Sequence, residues 1–186
     1  MSGTHKGIFL AVAWAHWALP FLIFFPAKRG KPVETDRRAN WGLLLEAVAF
    51  FLVYAHGASV WAEPATAWRI LAASCCALPG IVFSWTSVRQ LGPQWRVQAG
   101  LNADHRLVRT GAYRVVRHPV YASMLWMLLA GIAVAGTLPS WPVALALFIL
   151  GTEIRVRVED RLLASRFGAE FQAWRRTTPA YLPLIR

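Results

Sequence analysis

Apolar residues in this chain gather into five long runs separated by charged stretches, and they do not alternate with polar residues over short distances. A helix needs ~20 mostly apolar residues to cross the hydrocarbon core of a bilayer. Runs of that kind fall at about 8–25, 41–62, 67–88, 120–138 and 141–155. The first ends in Phe24 and Phe25 and lacks a small-residue cleavage pattern, so it reads as a retained span and not as a signal peptide. The fifth is short before Arg155, and its helix is expected to leave the bilayer as a charged extension. The uncharged turn Thr137-Leu138-Pro139-Ser140-Trp141-Pro142 makes the last two spans an antiparallel hairpin. Further on, Leu162, Leu163, Phe167, Phe171 and Trp174 form an apolar stripe at helical spacing. That stripe predicts an amphipathic C-terminal helix, lying on the membrane surface or packed over the long loop 89–119. The expected fold is all-α: a polytopic membrane helical bundle of about five transmembrane helices, forming a single domain over 1–186.

Charge supports the same layout independently. The chain has 186 residues, mean hydropathy +0.40 and net charge +11, a combination that requires the charges to be segregated from the apolar runs. With five spans, loop 26–40, loop 89–119 and the tail after 155 share one side of the membrane. They carry 18 of the 20 lysines and arginines, leaving Lys6 and Arg69 opposite. Basic loops mark the cytoplasmic face, so the N-terminus is expected outside and the C-terminus inside. A nucleic-acid binder of this pI would carry its basic residues on a soluble fold, not between apolar runs, and that class is set aside. Adjacent Cys75 and Cys76 are the only cysteines; they read as small packing residues, and no metal-ligand spacing appears.

Two polar clusters lie on the cytoplasmic side. In the first, Gly111 permits a tight turn close to a ligand, and Pro119 suits the first position of the fourth span. His118 then sits at the helix mouth, able to hydrogen-bond a ligand, while Tyr113 and Tyr121 offer flat aromatic surface to an adenine or a sulfonium. An interfacial belt of Arg, His and Tyr that merely anchors the bundle has the same composition, and the residues alone leave both readings open. In the second cluster, Arg155 and Glu159 share a helix face, as do Arg157 and Arg161. They read either as solvated surface pairs or as an arginine fork for a substrate carboxylate, with Glu159 holding it in place. Glu46, His16 and His56 fall inside predicted spans, where an ionisable residue is a functional candidate; Glu46 is the one expected to line a substrate site.

The series Gly111-x-Tyr113-x-x-x-Arg117-His118-Pro119-x-Tyr121, then Arg155-x-x-x-Glu159-Asp160, then Phe167-Gly168-x-x-Phe171 and Pro183, resembles the isoprenylcysteine carboxyl methyltransferase family of integral membrane enzymes. The likeness covers roughly 83–186, which it marks as the catalytic part, behind N-terminal spans in 1–82. Asp160 stands where the family has a second Glu, and Phe171 where it has Tyr. The resemblance implies S-adenosylmethionine as cofactor, held by Gln98, by His105, Arg106, Leu107 and Val108, by Tyr113, and by His118, Pro119, Val120 and Tyr121. It implies Arg155 and Glu159 as catalytic and substrate-binding residues. The expected acceptor is an isoprenylcysteine-like or other lipophilic carboxylate, or a prenylated substrate, entering from the bilayer among membrane lipids; the composition suits the cell membrane of a bacterium. Phospholipid N-methylation is one alternative, although an arginine-lined site repels an ammonium acceptor. An NADPH-dependent reductase of sterol-reductase type and a scaffold binding anionic lipid are the others.

Overall fold

The computed structural model describes residues 3–24, 33–55, 64–135 and 139–183. Five long helices occupy the five apolar runs: α1 (Gly3–Ile23), α2 (Ala39–Tyr54), α3 (Ala67–Leu91), α5 (Pro119–Ala135) and α6 (Trp141–Thr177). Between α3 and α5 lie a 3-10 turn (Gly92–Gln94) and one short turn of α-helix, α4 (Ala112–Val115). The expected second span runs to 62, but its end and His56 lie outside the described residues. Residues 5–23 and 67–94 are long and apolar enough to cross a membrane, while α2 and α5 are shorter apolar helices of 16 and 17 residues. Ile8, Leu22, Phe51, Leu71, Leu78 and Leu150 point outward with more than half of their surface free. An apolar exterior on this scale suits contact with acyl chains, not water.

Two helix pairs make the most extensive contacts: α3 with α5, and α2 with α6. The expected hairpin partners α5 and α6 share much less surface with each other. The physical reason is residue size. Gly80 of α3 lets Met127 and the Ser123 carbonyl of α5 close in, a β-carbon there lying 3.2 Å from each. Gly42 of α2 and Gly151 of α6 face each other so closely that a β-carbon on either would overlap the other's carbonyl oxygen. In a membrane, small residues of this kind draw helices together because lipid tails already satisfy the larger apolar side chains. Ala49, Val53, Leu125, Leu128, Ala144 and Phe148 then lock α2, α5 and α6 at one end.

Helix α6 has 37 residues, or ~55 Å at ~1.5 Å per residue, so it outruns a bilayer core as the charge pattern requires. It kinks at Gly168, where φ is +50°. Past the kink its stripe packs over the long loop and not away from it: Phe171 and Trp174 close on Tyr113, with Leu107, Val108 and Phe167 alongside. The loop is not wholly irregular. Strand β1 (Glu34–Thr35) pairs antiparallel with β2 (Gly100–Leu101), Glu34 opposite Leu101, so two-residue strands interrupt an otherwise helical fold.

The α2–α6 crossing gives a direct test. Gly42→Val forces a side chain into the Gly151 carbonyl and the Arg155 side chain, and overpacking of this kind costs ~1–3 kcal/mol. Thermal unfolding in detergent should show a clearly lowered midpoint for this variant. Gly7→Ala, where nothing lies within 4 Å of a new β-carbon, should leave the midpoint in place.

Candidate active site

The site is built where the end of α3, the long loop, the start of α5 and the middle of α6 meet. Gly111 takes φ +56° and turns the chain so tightly that a β-carbon would overlap the Gln90 amide at the end of α3. The sequence pattern placed that turn against a ligand; its neighbour is this side chain instead. One turn of helix follows, and α5 then opens on Pro119, where the missing N–H is not needed. The two residues before it are tied to the C-terminal stretch: the Arg117 and His118 amides donate to the Pro179 and Ala180 carbonyls, both at 2.8 Å.

Their side chains turn inward to α6. Arg117 pairs with Asp160 at 2.9 Å and also donates to the Thr178 carbonyl. His118 reaches two consecutive carboxylates at once, Asp160 Oδ1 from Nε2 at 2.8 Å and Glu159 Oε2 from Nδ1 at 3.2 Å. Both ring nitrogens are therefore taken, and the ring is buried. This corrects the expectation that His118 bonds a ligand: its side chain is a structural cation bridging α5 to α6. Burial opposes the charge on this ring, but the hydrogen bonds from Asp160 and Glu159 outweigh it and lift the pKa to about 9. Burial likewise works against the charge on Glu159 and Asp160, yet the bonds from His118 hold both carboxyls below their ordinary range.

From Glu159 the network runs on to Arg155. The Tyr121 hydroxyl donates to Glu159 Oε1 and accepts from Arg155 Nε at 2.8 Å, and the guanidinium lies over the Tyr121 ring, 5.2 Å from its centre. Glu159 thus steadies Arg155 through Tyr121, not by the direct grip expected of it, and the face of Tyr121 is covered by arginine. Arg155 Nη2 donates to the Val97 carbonyl at 2.7 Å. Nη1 has no partner among the described residues. Beyond Arg155 stands Glu46 of α2, 1% exposed, with Thr152 donating to its Oε1 at 3.0 Å and Arg155 Nε 3.8 Å from its Oε2.

A cavity of about 430 Å³ opens beside this network, within the ~300–1,000 Å³ range of small-molecule sites. Gln98, His105, Arg106, Leu107, Val108, Tyr113, His118, Pro119, Val120 and Tyr121 all line it, together with Arg155, Glu159 and Glu46. The residues expected to hold the cofactor therefore meet Arg155, Glu159 and Glu46 at one cavity. Arg157 and Arg161 do not belong to it: Arg157 makes an exposed pair with Glu153 at 3.5 Å, and Arg161 faces outward. His16 is exposed and bonds the Val12 carbonyl of its own helix.

Sequence reasoning missed Trp95, Arg96, Val97 and Trp174, as well as Trp17 and Phe21 of α1, all of which line the cavity. The aromatic ones form a series, Trp17 to Phe21 at 4.8 Å and Phe21 to Trp95 at 5.0 Å between ring centres. The Gly92-Pro93 pair after α3 was the one signal that the chain turns here to bring Trp95 inward.

Residues 72–165 match the model of the isoprenylcysteine carboxyl methyltransferase family, which is half of the chain and contains His118, Tyr121, Arg155 and Glu159. The chain belongs to that family. Among relatives, it is 38% identical over 82 residues to the cobalt-zinc-cadmium resistance protein CzcN of Cupriavidus metallidurans, covering 44% of this chain and 38% of that one. It is 32% identical over 85 residues to the protein-S-isoprenylcysteine O-methyltransferase of Schizosaccharomyces pombe, covering 45% of this chain and 36% of that one. The chain thus spans little more than a third of either relative. The eukaryotic intramembrane Ras methyltransferase ICMT has the same fold, with TM-score 0.64 at 20% identity over 94% of this chain and 63% of that one.

In this family member the His118 bridge sets a pH dependence. Its pKa in the folded state lies above the ordinary 6.5, so the stability it contributes is complete below pH 6.5 and is lost as the pH rises through about 9. The unfolding midpoint should fall across that window. His118→Gln should lower it at pH 6.5 and flatten the profile; an equally steep profile in the variant would assign the effect elsewhere.

Proposed function

We propose that the protein is an S-adenosylmethionine-dependent membrane carboxyl O-methyltransferase, acting on a lipophilic carboxylate of the isoprenylcysteine type. The observation that carries this reading is Arg155. It is a buried guanidinium fixed on two sides, with Nη1 making no hydrogen bond among the described residues, at a cavity with an apolar side formed by Trp17, Phe21, Leu22 and Leu43. A fixed fork of this kind suits a carboxylate, and its rigidity means little ordering remains when the acceptor arrives.

The residues present fit the cofactor. His105 carries a buried Nδ1 without a hydrogen-bond partner among the described residues, and burial, with Arg96 adding to it, lowers its pKa so that the ring is neutral at pH 7. Tyr113 and Trp174 supply aromatic wall, and the loop 105–108 supplies backbone. Gln98, His105, Arg106, Leu107, Val108, Tyr113, Pro119, Val120 and Tyr121 would hold it, with His118 fixing the start of α5 beneath. When bound, S-adenosylmethionine supplies an electrophilic methyl group that a carboxylate oxygen takes up with its own electron pair, the C–S electrons remaining on sulfur. A carboxylate with a pKa of ~4 is ionised at neutral pH, so the protein needs no general base. Its tasks are alignment and exclusion of water; orienting reactants ~3–3.5 Å apart supplies ~7–11 kcal/mol of a barrier. Arg155 orients the acceptor, and Tyr121 and Glu159 hold Arg155.

Both parts of the chain serve this site: Trp17, Ala18, Phe21, Leu22, Leu43 and Glu46 come from the first two helices, and the rest from beyond residue 82. Trp17, Phe21 and Leu22 of α1 and Leu43 of α2 form the apolar side, where the greasy part of an acceptor enters from the bilayer. The concentration of basic residues in loops 26–40, 89–119 and the tail supports a cytoplasmic site with the N-terminus outside, and the Ala-, Arg- and Trp-rich composition suits a bacterial cell membrane.

Calorimetry should show S-adenosylmethionine binding and no heat with NADPH, and labelled methyl groups should appear on a farnesylated cysteine analogue as base-labile ester. Base-stable label would point to N-methylation instead. Arg155→Ala should lower turnover by ~10²-fold or more while the cofactor still binds. Loss of cofactor binding with acceptor affinity intact would overturn the assignment of Arg155.

A further inference from the structure

The outward face of α6 changes character along its length. Val143 and Leu150 stand 55% and 53% exposed, with Ala146 open beside them. Arg157 and Arg161 continue the same stripe at helical spacing, and both are exposed. At ~1.5 Å per residue they lie ~24 and ~30 Å from the start of the helix at Trp141. A hydrocarbon core is ~30 Å thick, so the stripe is apolar where acyl chains lie and turns basic where headgroups begin.

The neighbouring acids are already engaged. Glu153 accepts from the Tyr181 hydroxyl at 3.0 Å through Oε1, and its Oε2 stands 3.5 Å from Arg157 Nε. Asp160 is buried and shared among Arg117, His118 and Arg175. Arg175 approaches it at 3.6 Å and so brings a third, half-exposed guanidinium to the flank of the stripe. Arg161 has no ion pair among the described residues. Positive charge is therefore in excess at this point, directly below an apolar surface, and none of Arg157, Arg161 and Arg175 lines the cavity.

We infer that this stripe binds an anionic phospholipid, with its phosphate on Arg157 and Arg161 and an acyl chain along Leu150 and Val143. A guanidinium presents a planar fork that matches phosphate oxygens, and it is more weakly hydrated than an ammonium. A soluble phosphate satisfies the arginines but leaves Leu150 and Val143 uncovered; a zwitterionic lipid covers them but carries an ammonium toward the arginines. An anionic lipid answers both halves. The inference needs only that α6 crosses a bilayer, and it is independent of the reaction proposed above.

Native mass spectrometry of the full-length protein in a non-ionic detergent tests it, by titration with dioleoylphosphatidylglycerol or dioleoylphosphatidylcholine. The first phosphatidylglycerol should bind ~5-fold or more tightly than the first phosphatidylcholine, and Arg157→Gln with Arg161→Gln should bring the two together. Arg114→Gln with Arg176→Gln removes the same charge from exposed arginines off the stripe and should preserve the difference. Equal binding of the two lipids by the unaltered protein overturns the inference. An equal loss in both double variants does so too, since it would mean attraction to net charge alone. If the first double variant unfolds, Arg161→Gln by itself disturbs no ion pair among the described residues, and an unchanged preference there also refutes the site. Glycerol 3-phosphate at millimolar concentration should leave the lipid in place; displacement would make a soluble phosphate the ligand and the lipid assignment wrong.

Discussion

A buried imidazolium shared between two neighbouring carboxylates is the constraint on which the rest of this structure depends. His118, Glu159 and Asp160 come from the mouth of α5 and the middle of α6, two helices that otherwise share little surface. Removing charges from water costs several kcal/mol per ion, and only paired, fully hydrogen-bonded geometry offsets it. Here Arg117 completes Asp160, Tyr121 completes Glu159, and the Pro179 and Ala180 carbonyls fix the backbone that carries Arg117 and His118. Each charge leaves the next in a defined place. Arg155 inherits its position from that series, because the Tyr121 hydroxyl that receives its Nε is itself held by Glu159.

The division of labour between helices follows from this. Contacts between α3 and α5 and between α2 and α6 carry the packing, through glycines that bring backbones close. Ion pairs at one end then set the angle between the two pairs, and the cavity is the space left where the apolar packing of α2, α5 and α6 does not reach. Glycine at 42 and 151 serves both purposes, since the same close approach that joins α2 to α6 brings Glu46 beside Thr152 and Arg155.

Hydropathy and charge made the five helices and the long α6 legible from sequence, because a bilayer imposes length and segregation on any chain that crosses it. The motif residues were legible as a group as well, and Tyr113, Arg117, His118, Pro119, Tyr121, Arg155 and Glu159 line one cavity. Their individual parts were not. His118 looked free for a ligand because nothing in a linear pattern says that two carboxylates some forty residues later will close on its ring. Glu159 was read as a direct partner of Arg155 from their four-residue spacing, but Tyr121 comes between them. The main-chain contacts were hidden more deeply: the Val97 carbonyl on Arg155 and the strand pair joining Glu34 to Leu101 have no side-chain signature. Trp17 and Phe21 sit in a run so apolar that no residue there stands out from lipid-facing neighbours.

Those aromatics complete the physical case for where the chemistry sits. A carboxylate acceptor with a long hydrocarbon chain has to keep its tail in lipid and its head beside a polar cofactor, so the site must touch both media without joining them. The series Trp17–Phe21–Trp95 runs from a helix with lipid-facing side chains onto the loop that lines the polar half. Trp17 is tied to Ser123 of α5 at 3.1 Å, so the wall is anchored to the same helix that presents Tyr121. A continuous apolar wall of this kind would let the proposed acceptor's chain slide inward while it keeps bulk water from following, and the low dielectric that results would strengthen the proposed hold of Arg155 on a carboxylate. The polar network and the aromatic wall are thus two requirements of the reaction proposed for this site, and α5 is the element on which both are built.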